Sequence, residues 1–170
     1  MTAPSISRRN LLRGRLQADV PDPVRPPWST RETLLESCAR CGKCAKACPQ
    51  GIIEIGADRL PELSFARGEC TFCRDCADIC PAPVFAPATE PPWSLALKLG
   101  EGCLAAAQIF CRSCGDSCPQ GAIRFRPMLG GRAELSIDRE LCTECGACIS
   151  VCPASALSLS RQAPQYEATP

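Results

Sequence analysis

Hydrophobic and polar positions alternate over two pairs of short segments in this chain. Residues 51–55 (GIIEI) and 61–65 (PELSF) make the first pair, residues 121–125 (GAIRF) and 132–137 (RAELSI) the second. Period-two alternation over so few residues predicts strands. The turn formers between them, Gly56-Ala57-Asp58 and Leu129-Gly130-Gly131, predict that each pair closes as a β-hairpin. Helical signals are fewer. Ser29-Thr30-Arg31-Glu32 reads as a capping box opening a short helix that ends near Cys38. Residues 94–110 predict a longer helix, with Gly100 and Gly102 working against it. No run of eighteen or more apolar residues occurs, so no membrane span is predicted.

The elements recur because the sequence does. Pro26-Pro27-Trp28-Ser29 returns as Pro91-Pro92-Trp93-Ser94, and in each copy a cysteine follows nine residues after the serine, at Cys38 and Cys103. Further on, Cys41, Cys44, Cys48 and Pro49-Gln50-Gly51 match Cys111, Cys114, Cys118 and Pro119-Gln120-Gly121. Glu62-Leu63-Ser64 then matches Glu134-Leu135-Ser136, and Cys70, Cys73, Cys76, Cys80 match Cys142, Cys145, Cys148, Cys152. Self-similarity of this kind marks a duplication. It divides the chain into a basic arm (1–25), two modules (26–90 and 91–160) and a polar tail (161–170).

Modules this small cannot bury much apolar surface, and domains of such size usually rely on disulfides or metals. Sixteen cysteines in 170 residues supply either framework, and their spacing decides for metal. Three runs read C-x2-C-x2-C-x3-C-P: Cys38, Cys41, Cys44, Cys48; Cys70, Cys73, Cys76, Cys80; and Cys142, Cys145, Cys148, Cys152. This is the bacterial [4Fe–4S] run, in which three closely spaced thiolates wrap one cluster and the fourth ligates the cluster of the partner run. Structural zinc sites use separated pairs of cysteines instead, and three sulfurs crowded on one loop are poorly placed for distinct disulfides. The chain has no histidine, which removes the usual zinc partner and the commonest general base.

Pairing the runs within each module gives four ligand sets for four [4Fe–4S] clusters. Cys38, Cys41, Cys44 and Cys80 form site 1, and Cys70, Cys73, Cys76 and Cys48 form site 2. Cys103, Cys111, Cys114 and Cys152 form site 3, and Cys142, Cys145, Cys148 and Cys118 form site 4. Run three breaks the spacing rule, since seven residues (LAAAQIF) separate Cys103 from Cys111. The repeat assigns Cys103 to site 3 and places the five extra residues after it; a buried, inert cysteine beside a three-iron cluster is the alternative. The implied fold is α+β, two tandem bacterial-type 2[4Fe–4S] ferredoxin-like modules of short hairpins and short helices stapled by their cofactors.

Clusters of this type pass single electrons at potentials within roughly −700 to +450 mV. No phosphate-cradling glycine loop, nucleotide fingerprint or nucleophile–base pair accompanies them, so the sequence predicts a carrier rather than an enzyme. Nineteen basic and eighteen acidic residues give a net charge of +1 and no case for nucleic acid. Four clusters would add about −8 and turn the loaded protein acidic. The arm is different: residues 1–31 hold six arginines against two aspartates. Within it, Ser7-Arg8-Arg9-Asn10-Leu11-Leu12-Arg13 resembles a twin-arginine export signal. The apolar stretch such a signal needs is replaced by RGRLQADVPDPVRPP, so the arm predicts cytoplasmic retention, with export to the periplasm as the alternative. Arg8 and Arg9 are candidate partner-binding residues.

The SRRNLLRGR opening, the four cysteine runs and the chain length together resemble the NapF family of ferredoxin-type proteins associated with periplasmic nitrate reductase. The resemblance implies a cytoplasmic accessory protein that contacts the catalytic subunit of that enzyme before export and assists its maturation, by electron supply or by help with the subunit's own iron–sulfur cluster. It also implies redox partner proteins. A generic relay subunit of a larger oxidoreductase and a scaffold whose metal serves only folding are the competing readings.

Overall fold

The computed structural model describes residues 23–128 and 133–161. In the first module, α1 (Arg31–Ser37) leads into α2 (Lys43–Ala47), then β1 (Ile53–Ile55), β2 (Pro61–Leu63) and α3 (Asp75–Asp78). The second comprises β3 (Leu95–Leu99), α4 (Ser113–Asp116), β4 (Ile123–Pro127), β5 (Ala133–Ile137), α5 (Ala147–Ser150) and β6 (Leu157–Arg161). Among the described residues three two-stranded antiparallel sheets result, β1–β2, β4–β5 and β3–β6. The fold is the small ferredoxin-like α+β arrangement that the sequence implies.

Both hairpins form, each shifted from its expected limits. Ile53 pairs with Leu63 and Ile55 with Pro61, while Ile123 pairs with Ile137 and Pro127 with Ala133. The first turn is closed by the Gly56 amide donating to the Leu60 carbonyl and by Arg59 in the left-handed region at φ 62°. The expected second turn at 129–131 lies outside the described residues. The capping box is displaced by one residue: Thr30, not Ser29, caps α1 and exchanges hydrogen bonds with Thr33. Ser29 instead donates its hydroxyl to the Pro26 carbonyl, leaving the next hydroxyl free to accept from the helix.

The long helix expected over 94–110 does not form. Residues 95–99 are strand, and turns follow at 101–102 and 104–108. Leu95, Leu97 and Leu99 alternate at period two, and β6 supplies matching partners, with Leu97 opposite Leu159 and Leu99 opposite Leu157. Cross-strand leucine pairs of this kind outweigh the high helix propensity of LALKL. The same repeat unit therefore precedes a helix in the first module and a strand in the second.

The cores are small and partly made of cysteine. Leu34, Leu60 and Val84 form one cluster, with Cys38 and Cys80 against it. Ile123 and Leu157 form another together with Cys114 and Cys148. Cys103, Ala105 and Ala156 form a third. Val24 and Arg25, which the sequence places in the arm, pack on the first hairpin: the Val24 carbonyl accepts from the Leu63 amide, and Arg25 is 4% exposed. Its guanidinium donates to Asp58 at 2.6 Å and to the Pro61 carbonyl at 3.1 Å.

Candidate iron–sulfur sites

Each cysteine run is a loop followed by one short helix, and the backbone of the loop is unusual. In the three regular runs the residues on either side of the second cysteine both have positive φ: Arg40 and Gly42 (52° and 70°), Phe72 and Arg74 (57° and 69°), Glu144 and Gly146 (53° and 86°). Left-handed backbone at non-glycine residues costs about 1–2 kcal/mol each. Its repetition at matched positions curls the loop so that three thiols face one space. The helices α2, α3, α4 and α5 then begin within the run and carry the chain to its fourth cysteine, and α2 packs on α3 as α4 packs on α5. That packing carries each fourth cysteine to the other run of its module.

Four cavities follow, each lined by four cysteines drawn from two runs. Cys38, Cys41, Cys44 and Cys80 line the first. Cys48, Cys70, Cys73 and Cys76 line the second. Cys103, Cys111, Cys114 and Cys152 line the third, and Cys118, Cys142, Cys145 and Cys148 the fourth. The structure thus brings together every set that the spacing grouped. All sixteen thiols are free of disulfides. Among the described residues no three Cys, Asp or Glu side chains are arranged as a site for a single metal ion. Each set of four sulfurs lines one shared space, the arrangement that a cluster bridging two runs requires.

Cys103 is buried, 9% exposed, and lines the third cavity despite the insertion that follows it. The five extra residues are absorbed by turns between Cys103 and Ile109. The cost shows in the loop itself. Arg112, which follows the second cysteine of run three, has φ −132° and so lacks the left-handed conformation of its counterparts. Phe110 is left 91% exposed.

Backbone amides already point at several sulfurs. Arg40 donates to Cys38 Sγ at 3.4 Å, Ala122 to Cys118 Sγ at 3.3 Å and Ala156 to Cys152 Sγ at 3.3 Å. Burial pushes the Cys76 and Cys148 thiols up to about 12, with neighbouring thiols adding repulsion. It pushes Cys70 and Cys114 up to about 11. Without iron these groups are held as neutral thiols at pH 7, so loading metal must displace their protons.

Sequence reasoning missed the contacts that join the modules. The Cys70 amide donates to the Cys145 carbonyl at 2.8 Å, and the Trp28 amide to the Pro92 carbonyl at 2.6 Å. The two copies of Pro-Pro-Trp-Ser touch here, but nothing in the repeat indicated the contact. Arg8 and Arg9 lie outside the described residues. Among the described residues no helix is long and apolar enough to cross a membrane.

Comparison with known proteins agrees with this geometry. The family model for the 4Fe-4S dicluster domain matches twice, over residues 37–84 and 109–156. The second match begins after Cys103, which the cavity nonetheless includes. The ferredoxin-type protein NapF of Escherichia coli K12 is 41% identical over 89% of this chain and 93% of its own. NapF of Haemophilus influenzae is 37% identical over 94% and 97%. The polyferredoxin protein MvhB of Methanothermobacter marburgensis is 30% identical over 73% of this chain but 21% of its own. With two dicluster domains and near full-length likeness to the two NapF proteins, the chain belongs to the NapF family of ferredoxin-type, iron–sulfur electron-transfer proteins.

Proposed function

We propose that the chain carries four [4Fe–4S] clusters, one in each cysteine-lined cavity, and uses them as a non-enzymatic electron-transfer accessory. The observation that carries this reading is the four-by-four grouping of the thiols. Bound clusters would supply one-electron chemistry. The chain's own residues hold the thiols in place, direct amides at sulfur and shield the inner cysteines with the leucine and alanine clusters.

The partner, on this proposal, is the catalytic subunit of periplasmic nitrate reductase, met in the cytoplasm before export. The chain would assist its maturation by supplying electrons or by supporting its iron–sulfur cluster. Family membership supports this, as does the basic arm with its Arg8-Arg9 pair but no apolar stretch behind it. The decisive experiment is capture of cofactor-free and cofactor-loaded catalytic subunit by the iron-loaded chain. Preferential capture of the cofactor-free form is expected, weakened by a combined Arg8→Ala and Arg9→Ala change that leaves iron content intact. Capture of neither form, with stable co-purification in a larger oxidoreductase complex, would instead favour a relay subunit, the reading to which the likeness to a polyferredoxin lends weight.

A further inference from the structure

Among the described residues, the backbone hydrogen bonds and ring contacts between the two modules gather beside sites 2 and 4. Phe65 follows β2 of the first module and is 7% exposed. Its ring lies so close over Gly146 that a Cβ there would fall inside contact distance, and Gly146 is also in the left-handed region at φ 86°. Gly146 directly follows Cys145 of site 4. Cys70 of site 2 donates its amide to the carbonyl of that same Cys145 at 2.8 Å. A row of rings extends the contact. Phe65 meets Trp93 edge-on at 6.4 Å between centroids, Trp93 meets Phe72 at 5.3 Å, and Phe72 meets Trp28 at 6.3 Å. Phe72 lies between Cys70 and Cys73 of site 2, and Arg74 stacks over Trp28 at 4.5 Å. Trp28 donates its amide to Pro92 and its indole N–H to the Glu90 carbonyl at 3.0 Å.

We propose that this junction fixes the two modules as one body and makes sites 2 and 4 the pair through which they couple electronically, so that the four sites run in the order 1, 2, 4, 3. Each edge-to-face ring pair adds attraction beyond its buried area. The glycine at 146 is then required twice over, by its backbone conformation and by the ring that occupies the space of a side chain. The remaining order follows from the fold, because sites 1 and 2 share the α2–α3 packing and sites 3 and 4 share α4–α5. The coupling rests on the four-cluster reading; the junction itself does not.

Two measurements on the full chain separate these claims. In the first, one ligand of each of two sites is replaced, using Cys41→Ala, Cys73→Ala, Cys111→Ala and Cys142→Ala for sites 1 to 4. Each leaves three thiols to hold a three-iron cluster that is paramagnetic when oxidised. Pulsed dipolar EPR on the four inter-module pairings should give the strongest coupling for Cys73→Ala with Cys142→Ala. A stronger coupling for any other inter-module pair, in chains whose iron content shows both sites filled, would overturn the order. In the second, hydrogen exchange is followed at the Cys70 amide in Phe65→Ala, which needs no cluster to be altered. Exchange should accelerate roughly tenfold or more while β1–β2 and β4–β5 keep their protection. Unchanged protection at Cys70 would overturn the junction whatever the iron count proves to be.

Discussion

Arg25 shows how much a single residue can matter in a domain with so little core. Its side chain is 1% exposed, and Asp58, one-third exposed, supplies the facing carboxylate. Asp58→Asn removes that charge from a buried guanidinium and should cost about 1–3 kcal/mol, seen as earlier bleaching of the cluster absorbance in urea. The Arg25 hydrogen bond holds the Asp58 carboxyl below its ordinary value of 3.8. A depressed folded-state value means the stabilisation is complete above 3.8 and is lost as pH falls through the folded value. The gap between wild type and Asp58→Asn should therefore be full and constant from about pH 6 to about pH 8, where the acid-labile clusters survive; a gap that shrinks toward pH 6 would show that the Asp58 carboxylate is not its source. None of this was legible beforehand. Arg25 looked like the end of a basic arm, since burial of one arginine depends on a carboxylate 33 residues away that no local pattern announces.

At the scale of elements, the cysteine loops and hairpins could be read closely because each is specified locally, by spacing that brings three sulfurs together or by alternation around a turn. The β3–β6 sheet could not, because its strands lie at opposite ends of the second module and 157–161 carries no turn to link it to 95–99. Leu97 makes the sheet testable: it packs on the core that holds Cys114 and Cys148 and also lines the site 4 cavity. Leu97→Ala should cost about 2 kcal/mol, the low end for a leucine that is only partly buried. It should also hasten cluster loss from the second module before the first, measured by iron release in denaturant. Unchanged loss from the second module would mean that β3 does not support the second module's core. Run three offers a sharper test. Cys103→Ser should lose about one iron per chain and give a three-iron EPR signal in the oxidised protein, whereas full iron and an unchanged spectrum would remove Cys103 from site 3.

Over the whole molecule, the sequence revealed the duplication but not the way its halves are joined. A repeat states that two units are alike, and says nothing about which faces they present to one another. The contact depends on Trp93, which the repeat marks only as a copy of Trp28, and on Phe65, Phe72 and Gly146, which carry no iron chemistry and look like ordinary apolar or turn positions. Loaded with four clusters, the chain would change from a net charge of +1 to about −7, leaving the basic arm set against an acidic body. If both modules hold two clusters, the one with the irregular run included, protein purified without oxygen should contain about sixteen iron and about sixteen acid-labile sulfide per chain; about twelve of each, with the third site empty, or about eight, with one module bare, would refute the four-cluster reading.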